Sequence, residues 1–111
     1  MGLDNFWVGG EEATFEPPLN LCGGMLSSTG SGSFRGKVYA DIVEAITGIS
    51  LYADKINNTD VAKMASALAT HEPTETELQS YQYPITTEEY ADLVRMFILY
   101  GNMGASLASW W

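Results

Sequence analysis

One cysteine, one histidine, four prolines and five basic residues stand among the 111 of this chain, and each scarcity narrows what the protein can do. The lone Cys22 rules out an internal disulfide and any metal site built from several thiolates of one chain, and it agrees with a reducing compartment. Five Lys and Arg against fourteen Asp and Glu give a net charge of -9 and a pI near 4.2. The field of such a molecule repels phosphate backbones and anionic lipid heads, so neither nucleic acid nor a membrane surface is an expected partner. Met1-Gly2-Leu3-Asp4-Asn5-Phe6-Trp7 has no basic region leading into a long apolar run, so a secretory leader is not expected. Long hydrophobic runs are also scarce. The uncharged stretch 96–111 falls short of the ~20 residues that a membrane span needs and is diluted by Gly101, Asn102, Gly104, Ser106 and Ser109, so it reads as a buried helix.

What is present suits a compact fold. Hydrophobic residues make up 46% of the chain and aromatics 12%, too much core-forming material for disorder, and the length accommodates one domain. Residues 17–37 divide it, a Gly/Ser-rich stretch holding Cys22, Arg35 and Lys37. Ahead of it, residues 3–8 alternate loosely through Phe6, Trp7 and Val8. Gly9-Gly10 then permits a turn into a second extended run, Ala13-Thr14-Phe15-Glu16, which Pro17-Pro18 closes. An isolated two-stranded hairpin is marginal, so Trp7 and Phe15 are expected to pack on helices.

The remainder reads as helical. Val38, Ile42, Val43 and Ile46 line one face, with Ser33 as the expected N-cap and Gly48 as the stop. Val61, Met64, Ala65 and Leu68 fall at i, i+3, i+4 and i+7 after a cap at Asn58 or Thr59, and Pro73 bars continuation. Thr74-Glu75-Thr76-Glu77 has capping-box spacing and opens a short helical turn toward Tyr81. Thr86-Thr87-Glu88-Glu89 repeats that spacing and opens a last helix with Tyr90, Leu93, Val94, Phe97 and Tyr100 inward. Beyond Gly101, the small residues Gly104, Ala105, Ala108 and Ser109 suit close helix approach, and Trp110-Trp111 follow. The pattern predicts one mainly α domain of three or four helices with a short N-terminal extended or hairpin arm: 1–16 the arm, 17–37 the loop, 38–111 helical. A small α+β fold is the alternative.

Several residues invite chemistry. Ser33, Arg35, Gly36 and Lys37 precede a helix, where free backbone N–H groups and two cations suit an anion. The segment is not a P-loop, since Ser31 stands where its first Gly belongs and Val38 where a magnesium-binding hydroxyl belongs. Cys22 between Leu21 and Gly23 suggests a nucleophile with His71 as base, but no third group orients the pair, and a free cysteine ordinarily behaves as a small buried hydrophobe. His71, Glu72 and Glu75 are close in sequence, yet Pro73 breaks the register that would gather them around a metal. Glu88, Glu89 and Asp92 answer the dipole of a helix start. Asp4, Glu11, Glu12 and Glu16 lack the order of a calcium loop. No catalytic residue, metal or cofactor is therefore expected.

The runs Met1-Gly2-Leu3-Asp4-Asn5-Phe6-Trp7, Phe15-Glu16-Pro17-Pro18-Leu19-Asn20-Leu21-Cys22-Gly23-Gly24-Met25 and Gly32-Ser33-Phe34-Arg35-Gly36-Lys37-Val38-Tyr39 resemble a set of short uncharacterised archaeal proteins. The resemblance covers about the first half of the chain. It implies a cytoplasmic archaeal setting and supplies no activity. The expectation is a non-catalytic interaction or self-assembling module that binds itself or another protein through Phe97, Tyr100, Leu107, Trp110 and Trp111. The alternative is an anion binder or enzyme using the Cys22 to Lys37 loop.

Overall fold

A computed structural model describes residues 4–9, 33–81 and 83–110. In chain order the elements are β1 (Asp4–Val8), β2 (Ser33–Phe34), α1 (Gly36–Thr47), β3 (Lys55–Ile56), α2 (Asn58–Thr70), α3 (Glu75–Gln79), α4 (Thr87–Asn102) and β4 (Ser106–Trp110). Among the described residues four helices thus accompany an antiparallel four-stranded sheet of order β2-β1-β4-β3. The fold is α+β, the alternative sequence reading, rather than mainly α.

The helices begin and end for local reasons. Asn57, one residue ahead of the expected cap, accepts the Asp60 N–H at 2.9 Å and starts α2. Thr74 accepts from Glu77 at 3.1 Å and Thr86 from Glu89 at 3.0 Å, as the capping-box spacing requires. Helix α1 differs, since Ser33 stands in β2 and the cap position falls to Arg35, which makes no side-chain capping bond. Gly48 ends α1 with φ +76°, a left-handed conformation open to glycine at little strain, and its N–H bonds to Glu44 O at 2.8 Å.

One expectation is overturned near the sheet. Residues 106–110, read as a continuation of buried helix, form β4 and pair with all of β1, from Asp4↔Trp110 to Val8↔Ser106. The helix stops because the chain turns at Gly104, φ +78°, while Asn58 Nδ2 donates to both Gly101 O and Ala105 O at 3.0 Å and satisfies carbonyls that helix continuation would need. At Asn5 and Phe6 one edge of β1 meets β4 and the other β2, while residues 13–16, the second strand of the expected hairpin, lie outside the described residues.

Strand alternation gives β1 two unlike faces. Asn5 and Trp7 are buried toward the helices, whereas Phe6 is half-buried and Val8 is 45% exposed. Trp7 stacks on Tyr100 of α4 at 4.6 Å and 5°, meets Phe97 edge-on at 5.2 Å and 82°, and lies 6.4 Å from Phe34. Around these rings a single cluster gathers Tyr39, Ile42 and Val43 of α1, Met64 and Leu68 of α2, Leu93 and Met96 of α4, and Leu107 of β4.

Candidate functional site

Three of the five interface residues expected from sequence are turned away from the surface. Phe97, Tyr100 and Leu107 are at most 1% exposed and belong to the chain's own core. An apolar helix followed by an apolar strand reads as unpartnered only until the sheet covers it. Trp110 closes β4 opposite Asp4, and Trp111 lies outside the described residues.

The anion candidates stay neighbours along the chain. Arg35 and Lys37 are exposed and Gly36 is buried at the start of α1. Lys37 Nζ lies 5.7 Å from the Tyr83 ring centroid, a cation–π contact. Cys22 lies outside the described residues. His71 meets neither Glu72 nor Glu75; its Nε2 lies 2.7 Å from Glu77 Oε2, joining the end of α2 to α3. Among the described residues no group of three or more His, Cys, Asp and Glu could hold a metal. Glu89 accepts from Tyr39 OH at 3.1 Å, and Asp92 pairs with Arg95 at 2.9 Å. Tyr90 is buried against α2, where its hydroxyl donates to Leu68 O at 2.7 Å. Burial first, then the charge of Glu77 and the neighbouring Tyr81, push its phenol up to about 12. Tyr81 is likewise raised, by burial, Glu77 and Asp41 in that order.

A different surface emerges between α2 and α4. The helices run antiparallel, because Leu68 sits by Tyr90 and Ala62 by Gly101. With Val61, Met64, Ala65 and Leu68 turned inward, α2 leaves Ala62, Ser66 and Ala69 on the adjoining row. Gly101 carries no side chain there, and a methyl built on it would lie 3.5 Å from Val61 Cγ1 and 3.8 Å from Ala62 Cα. The result is a groove of about 290 Å³ lined by Ala62, Ala65, Ser66, Ala69, Ile98, Gly101 and Asn102.

No charged side chain lines this groove, and Ile98 beside it is 40% exposed. A larger concavity of about 520 Å³ at α3 is lined by Glu75, Thr76, Gln79 and Ser80. Another, edged by Asp41, Glu44 and Ala45, is acidic. The α2–α4 groove differs from both in having no carboxylate in its lining. Its sequence signal was the small-residue spacing Ala62, Ala65, Ser66, Ala69, at i, i+3, i+4 and i+7.

Comparison of the chain with protein-family models, with curated proteins and with solved structures finds no match. Among the described residues no helix is long and apolar enough to cross a membrane.

Proposed function

We propose that the protein is a non-catalytic interaction module whose working surface is the α2–α4 groove, acting in the cytoplasm of an archaeal cell. One observation carries the reading: an uncharged groove with a 40% exposed Ile98 at its side, on a chain of net charge -9. Water meets no ion there and only Ser66 and Asn102 as polar side chains, so covering the alanines and Ile98 with another apolar surface is favourable. The setting is supported by the archaeal resemblance and by the single cysteine.

The test is a photo-crosslinking side chain placed at Ser66, exposed on the groove lining, in protein expressed and irradiated inside cells. Adducts of discrete mass are expected on denaturing gels, absent when the same probe replaces the exposed Glu44 of α1. Adduct-free protein after irradiation at Ser66 would overturn the reading.

A further inference from the structure

We draw no further inference here: the strongest candidate, the concavity of about 520 Å³ edged by Glu75, Thr76, Gln79 and Ser80 on α3, the short helix that His71 meets at Glu77, rests on acidic side chains and a hydrogen bond among them, with no second observation among the described residues that points to a ligand.

Discussion

Asn5 offers a quantitative test of how the sheet is held to the helical layer. Its side chain is 1% exposed, and its Nδ2 donates to Leu51 O at 3.0 Å and to Ala108 O at 3.4 Å, tying β1 to the segment after α1 and to β4. The two carbonyls fix the amide orientation, since a flipped amide would set oxygen against oxygen. Oδ1 is left buried without a partner among the described residues. In Asn5→Ala the shorter bond is worth about 1 kcal/mol and the longer one roughly half that, while the buried Leu51 carbonyl is left with a penalty of about 1–3 kcal/mol. Removing the orphaned Oδ1 offsets part of that penalty, and the vacated space adds a cavity cost. The expected net loss is about 2 kcal/mol, which lowers Tm by roughly 10 °C. Urea denaturation followed by tryptophan fluorescence measures it. A loss below about 0.5 kcal/mol would refute the reasoning, because it would mean that both carbonyls find other partners. Asn5→Asp sharpens the test. It sets carboxylate oxygens against both carbonyls, and burial raises that carboxyl's folded pKa, so the variant is expected to be weaker than Asn5→Ala at neutral pH and to recover as pH falls through the carboxylate range.

Other outcomes follow from single contacts. Trp7 Nε1 is buried without a partner among the described residues, so Trp7→Phe, which removes that donor and keeps a ring, should cost well under the ~3–5 kcal/mol expected for Trp7→Ala in parallel denaturation curves. Gly101→Ala meets only ordinary contacts at 3.5 and 3.8 Å and should stabilise the last turn of α4 by about 0.5–1 kcal/mol; a lower Tm would show that α2 and α4 are already at their closest approach. Thr86→Ala removes the acceptor of the Glu89 N–H and should cost about 1 kcal/mol, read from the urea midpoint. Burial raises the Tyr90 phenol to about 12, so the stability it contributes is complete below the unfolded value of about 10 and is lost as pH rises from there to about 12. Absorbance at 295 nm should show one phenol ionising late, and Tyr90→Phe should flatten that alkaline loss.

How much of this was legible depended on how far apart the interacting residues lie. The starts of α3 and α4 were readable because a cap and its N–H donor stand three residues apart, at Thr74 and Glu77 and at Thr86 and Glu89. The stop at Gly48 was readable for the same reason. Strand β4 was not, because Ser106-Leu107-Ala108-Ser109-Trp110 becomes a strand only through pairing with β1 at the other end of the sequence. The small residues that suggested helix contact serve that pairing instead. Misreading β4 also misplaced the interface: without a sheet to cover them, Phe97 and Tyr100 had no visible partner, yet Trp7 of β1 stacks directly on Tyr100. Ala62, Ser66 and Ala69 are marked in sequence only as small residues at helical spacing, and it takes the approach of α4 at Gly101 to turn them into a concavity.

The measurement that bears most directly on the groove is photo-crosslinking from Ser66 of α2, with Glu44 of α1 as the control position. Adducts of discrete mass are expected from Ser66 and not from Glu44. Adduct-free protein at Ser66, or the same adducts at both positions, would contradict the account.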